Sequence, residues 1–136
     1  MGSDSPDSDR FRVYPGVPEI RDQWNQLTEG YRQGMLSGEQ RTLLERWAKA
    51  IRLLRRDPSH PGLRTHEIDA LSRRYGRTVF QSYLGQGEQA RRLYWVYGPG
   101  RGEITIIGLE PHPEDSPGAY ERIQLSDLPE RHTEGS

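Results

Sequence analysis

Arg92, His112, Glu67, His66 and Tyr120 are side chains whose types suit one reaction, the cleavage of a phosphodiester without a metal. Cutting RNA beside a 2′-hydroxyl needs a base for the hydroxyl proton, a cation for the charge of the pentacovalent phosphate, and an acid for the leaving 5′-oxygen. Arg92 suits the cation role, and the other four supply candidates for the proton transfers. Several of these, with Tyr94, also have a plainer reading. Arg92 fits a strand arginine paired with a carboxylate, His112 a polar cap after a strand, and Tyr94 and Tyr120 packing residues.

Other common chemistries lack their motifs. Gly98-Pro99-Gly100-Arg101-Gly102 lies between two β-type runs rather than before a helix, so it reads as a hairpin turn and not a phosphate loop. His60, His66, His112 and His132 are scattered, with no pair at helical ligand spacing. There is no cysteine and no Gly-x-Ser-x-Gly elbow. Neither a metal nor a cofactor is expected.

The elements that must position these residues are legible in outline. Arg91 to Tyr97 and Glu103 to Leu109 form two strands around the Gly98–Gly102 turn, which brings Arg92 at one start near His112 beyond the other's finish. Within the first of them Leu93, Trp95 and Tyr97 face one way and Arg92, Tyr94 and Val96 the other. Thr78 to Leu84 is a third strand and Phe11 to Tyr14 a short early one, ended by Pro15-Gly16. Ile20, Trp24, Leu27 and Tyr31 recur at helical spacing after Pro18, and this helix ends between Gly30 and Gly34. Ser37 and Gln40 form a capping box for a second helix, whose stripe is Leu43, Leu44, Trp47, Ala48, Ile51 and Leu54 and which stops at Arg55-Arg56-Asp57-Pro58. Ser59 to Arg77 reads as loop with a short helical turn, and the segment from Pro111, with Ile123, Leu125 and Leu128, as a final strand or packing segment. The order β-α-α-β-β-β predicts a two-layer α+β domain, a helical hairpin packed on one face of a small antiparallel sheet, with the other face left to water or a partner.

At 136 residues the chain suits one domain, here residues 11–128 between disordered tails at 1–10 and 129–136. Mean hydropathy is −0.95, so the three tryptophans and seven tyrosines must carry much of the core. No apolar run approaches a membrane span and no signal peptide is visible, so a cytoplasmic protein is expected. The net charge of −1 hides an uneven distribution, with carboxylates at the ends and arginines in the middle. Ten cations and four carboxylates lie between Arg41 and Arg77, and Lys49 is the only lysine of the chain. Guanidinium forks match phosphates and stack on bases, so Arg64, Arg73, Arg74, Arg77 and Arg91, with Tyr94, are candidate RNA-binding residues. A genome rich in G and C, encoding arginine in place of lysine, produces the same bias.

The element order, the loop Leu63-Arg64-Thr65-His66-Glu67, the strand Val79 to Leu84, Arg92-Leu93-Tyr94, and Ile104-Thr105-Ile106-Ile107 running to Glu110-Pro111-His112 resemble the RelE/ParE toxin superfamily of bacterial toxin-antitoxin systems. The resemblance covers residues 11–120 and rests on short motifs. It implies a RelE-like fold and a toxin that cleaves mRNA in the ribosomal A site, held inactive by a cognate antitoxin. Arg92 then falls where ribosome-dependent members keep an arginine for the scissile phosphate. His112 falls where the YoeB-like branch has a histidine ahead of a catalytic tyrosine, and Glu67 near that branch's general base. In that branch the tyrosine directly follows the histidine; here Pro113 does, and Tyr120 substitutes only if the intervening loop folds back. The RelE branch uses lysines before its second strand, a role left here to arginine or His66. Two alternatives stand beside this: a ParE-like inhibitor that binds DNA gyrase without nuclease activity, and a non-toxic RNA-binding or interaction module.

Overall fold

Ser37 opens the longest helix through the capping box its sequence predicts. Its Oγ accepts the Gln40 N–H at 3.1 Å, and Gln40 Oε1 accepts the Ser37 N–H at 2.9 Å. The structure, a computed structural model, describes residues 9–85, 91–110 and 119–129. Most of the two tails, and His112 with Pro113, lie outside the described residues. The elements are β1 (Arg12–Pro15), α1 (Glu19–Arg32), α2 (Gly38–Arg56), β2 (His66–Glu67), α3 (Asp69–Tyr75), β3 (Phe80–Leu84), β4 (Arg91–Tyr97) and β5 (Glu103–Glu110). Single 3₁₀ turns lie at Pro61–Leu63 and Ala119–Arg122. Replacing Ser37 by alanine leaves the first turn of α2 without its side-chain acceptor, an expected loss of about 1 kcal/mol, read as a fall in Tm of roughly 3–5 °C.

The protein is α+β, with three α-helices and one five-stranded mixed sheet among the described residues, the strands in the order β1-β5-β4-β3-β2. The expected all-antiparallel sheet is corrected at one edge, where β1 runs parallel to β5 with Arg12 opposite Glu103 and Pro15 opposite Ile106. Strand direction does not show in a hydrophobic pattern. It follows here from the α1–α2 hairpin, which is long enough to carry the chain over the sheet between β1 and the far edge. Two short elements, β2 and α3, occupy the segment expected to be mainly loop.

The helical hairpin covers one sheet face, as expected. Leu44, Trp47 and Leu54 of α2 and Ile20 and Leu27 of α1 close on Leu84, Leu93, Trp95, Ile104 and Ile106. Tyr31, expected on the buried stripe, is instead 59% exposed. The other face is not left bare. Leu71 of α3 and Ile123 of the C-terminal segment pack with Val79, Tyr94, Val96 and Ile107 in a second core. A β-bulge lets both cores form, since Tyr94 pairs with Gly108 while Trp95 pairs with Ile106, leaving Ile107 as the extra residue.

The C-terminal segment is held by polar contacts across the chain. Tyr75 Oη donates to the Ser126 carbonyl at 2.7 Å, and the Arg74 guanidinium donates to the carbonyls of Tyr120 and Ile123. Val17 and Asp127 bridge as an isolated antiparallel pair. Ser126 also reaches the first turn of α1, where its Oγ accepts the Ile20 N–H at 3.2 Å. Pro18, at the start of that helix, offers no side-chain acceptor.

Candidate functional site

Pleating of β2, β3, β4 and β5 sorts the candidate residues onto two faces. Directly paired residues project to the same face, which gives two cross-strand rows opposite the helical hairpin. One row runs His66, Gln81, Tyr94, Gly108 and the next Tyr83, Arg92, Glu110. Glu67 pairs with Phe80, which stacks on Trp95 in the first core, so its carboxylate projects to the far face, away from Arg92.

Arg92 is the centre of this surface. It is only 9% exposed, its guanidinium carbon sits 4.6 Å from the Tyr83 ring centroid, and its Nε has no hydrogen-bond partner. Among the described residues no carboxylate forms an ion pair with it. Guanidinium keeps its charge throughout the physiological range, so burying it without an anion is unfavourable unless an anion arrives. Two further buried polar atoms here lack partners, Gln81 Oε1 and Tyr94 Oη. An unsatisfied buried group costs about 1–3 kcal/mol, and such departures from good packing collect at functional sites.

Local structure explains how each neighbour is placed. The 3₁₀ turn at Pro61–Leu63 ends on Arg64, a non-glycine residue held left-handed at φ 50, and this carries its guanidinium to 4.2 Å from the Tyr83 centroid. Thr65 anchors that loop to β3, its hydroxyl 2.7 Å from Ser82 Oγ, which also accepts Trp95 Nε1–H at 2.9 Å. His66 lies beside Gln81, with Nε2 3.4 Å from the amide nitrogen, and its ring centroid is 6.2 Å from that of Tyr83. Gly108 gives Tyr94 its room, since a Cβ there would approach the Tyr94 ring to 3.2 Å and Leu125 to 3.1 Å.

Electrostatics reflect that burial. Desolvation holds the Tyr94 hydroxyl well above the ordinary tyrosine range, the nearby Tyr120 adds to the shift, and Arg92 opposes it. The Glu110 carboxyl is also raised, chiefly by desolvation, against a hydrogen bond from the Gln124 backbone and the charge of Arg91.

Of the residues singled out in the sequence, Arg92, His66, Arg64 and Tyr94 are brought together, with Tyr120 beside Tyr94. Arg91 pairs with Leu84 and faces the helical hairpin side. Arg74 and Arg77 are used structurally, Arg77 donating to the Tyr97 carbonyl at 2.9 Å, and Arg73 is exposed on α3. Tyr83, Gln81 and Glu110 did not stand out, because strand register alone puts them in these rows. A cleft of about 480 Å³ on the side of α2 is lined by Arg46, Lys49 and Tyr83. No group of residues able to hold a metal occurs among the described residues, and no described helix is long and apolar enough to cross a membrane. Comparison with protein-family models, curated proteins and solved structures finds no match to this chain.

Proposed function

We propose that the chain is a RelE-like toxin of a toxin-antitoxin pair, a metal-independent endoribonuclease that cuts mRNA on the ribosome and is restrained by an antitoxin. The observation that carries this is Arg92, a buried guanidinium with no ion-pair partner among the described residues, on the face opposite the helical hairpin, next to Tyr83, Arg64 and His66. An RNA phosphate supplies the missing anion, and the arginine fork then stabilises the charge that grows on that phosphate during cleavage. A helical hairpin on one face and this cluster on the other also agree with the RelE-like arrangement.

Inducible expression in a bacterial host tests the proposal. Growth should arrest, and mapped mRNA ends should carry 5′-hydroxyls, the product of attack by the 2′-oxygen. Arrest with DNA damage and intact mRNA would instead identify the ParE-like activity. The orientation of Glu67 away from Arg92 favours one other reading, an RNA-binding module that does not cut. That module would bind RNA with strong salt dependence and leave both growth and transcripts intact.

A further inference from the structure

The pleat that turns Glu67 away puts a different carboxylate in its place. We propose that Glu110, at the end of β5 and directly opposite Arg92, is the general base that takes the proton from the attacking 2′-hydroxyl. This rests on the endoribonuclease reading and assigns a residue that the resemblance does not. Glu110 is the one carboxylate in the two rows around Arg92. Paired positions on adjacent antiparallel strands hold their Cβ atoms about 5 Å apart, so a phosphate on the Arg92 guanidinium brings its neighbouring ribose within reach of the Glu110 side chain.

The surroundings suit the role. Glu110 is half-buried at the edge of the site, and the Gln124 backbone N–H holds its carboxyl. It is not engaged in an ion pair with Arg92 among the described residues, so it stays available to a proton. Arg92 lies opposite it in register and Tyr94 within electrostatic reach on the same face, while Arg91 acts on it from the other face of β4 and the Gln124 backbone N–H from the C-terminal segment; Tyr120 acts on Tyr94. Desolvation raises its proton affinity towards the operating pH, which improves a general base.

The step balances without a co-reactant. The Glu110 carboxylate accepts the 2′-hydroxyl proton, the 2′-oxygen forms a bond to phosphorus, and the bond from phosphorus to the 5′-oxygen breaks. A solvent water gives a proton to that oxygen. The products are a 2′,3′-cyclic phosphate and a 5′-hydroxyl end, with Glu110 protonated and the hydroxide left by the water taking that proton back.

The test measures single-turnover cleavage of a transcribed mRNA on ribosomes by the full chain across pH 4.5–9. Binding is measured separately with the same message carrying 2′-O-methyl groups. Glu110→Gln should cut the rate by about 100-fold or more, remove the acidic limb of the pH profile and leave binding within a few-fold of wild type. Glu110→Asp should recover part of the rate and the limb. Thermal unfolding supplies a second readout. A raised folded-state pKa stabilises the protein fully below the ordinary glutamate value of 4.5 and loses that stabilisation as pH rises through the folded value, so Glu110→Gln should match wild type at acid pH and be the more stable at neutral pH. Wild-type rates in Glu110→Gln, with the acidic limb kept, would overturn the assignment of the base alone. A wild-type chain that cuts no RNA would overturn the endoribonuclease reading and this step together.

Discussion

Arg92→Ala is expected to lower mRNA cleavage by about 10²–10³-fold, the usual loss when one preorganised donor to a developing oxyanion is removed. The fold should survive it. The Arg92 Nε makes no hydrogen bond among the described residues, and alanine gives up the stacking of the guanidinium on Tyr83 at 4.6 Å and the packing of the buried stem, an expected loss of about 1–2 kcal/mol. Removing a buried charge that has no ion-pair partner among the described residues works in the opposite direction to that weakened packing. Arg92→Lys keeps the charge but loses the planar fork and should recover only part of the rate. RNA binding reports on the same arginine, since the slope of log affinity against log salt should flatten by about 0.7 for one single-strand phosphate. Cleavage by Arg92→Ala within about three-fold of wild type would remove Arg92 from the site.

The largest expected effect on stability belongs to Trp95→Ala. Trp95 is 1% exposed, stacks on Phe80 with centroids 4.7 Å apart, meets Tyr97 edge-on at 5.2 Å and donates to Ser82. Truncating such a side chain costs about 3–5 kcal/mol against a total of roughly 5–15 kcal/mol for a typical domain. Urea unfolding followed by circular dichroism should show a large fall in the midpoint, with little folded protein left at body temperature. A loss below about 1 kcal/mol would mean the first core repacks freely. The damage should also reach the site, because Ser82 links Trp95 to Thr65, and Thr65 anchors the loop that bears Arg64 and His66. Trp95→Phe keeps the apolar packing but loses that hydrogen bond, so its effect should be smaller.

Local patterns carried far in this chain. The capping box at Ser37 and Gln40, the bounds of β4 and the turn at Gly98–Gly102 needed only near neighbours, and all three stand as the sequence predicts. Alternation along β4 also placed Arg92 and Tyr94 on one face and Leu93 and Trp95 on the other. The cap on α1 was not legible, because Ser126 lies 106 residues from the Ile20 N–H it accepts. Nor was the parallel β1–β5 pair, since a strand's pattern is the same read in either direction.

For the candidate site, the sequence by itself determined which chemical groups are present: an arginine on a strand, histidines, tyrosines and carboxylates, with no cysteine. Only the tertiary structure decided which of them share a surface. A shift of one residue in strand pairing turns every side chain to the opposite face. The observed register therefore faces Glu67 away with Phe80 and sets Glu110 opposite Arg92, a choice made by the long-range packing of two cores on one sheet.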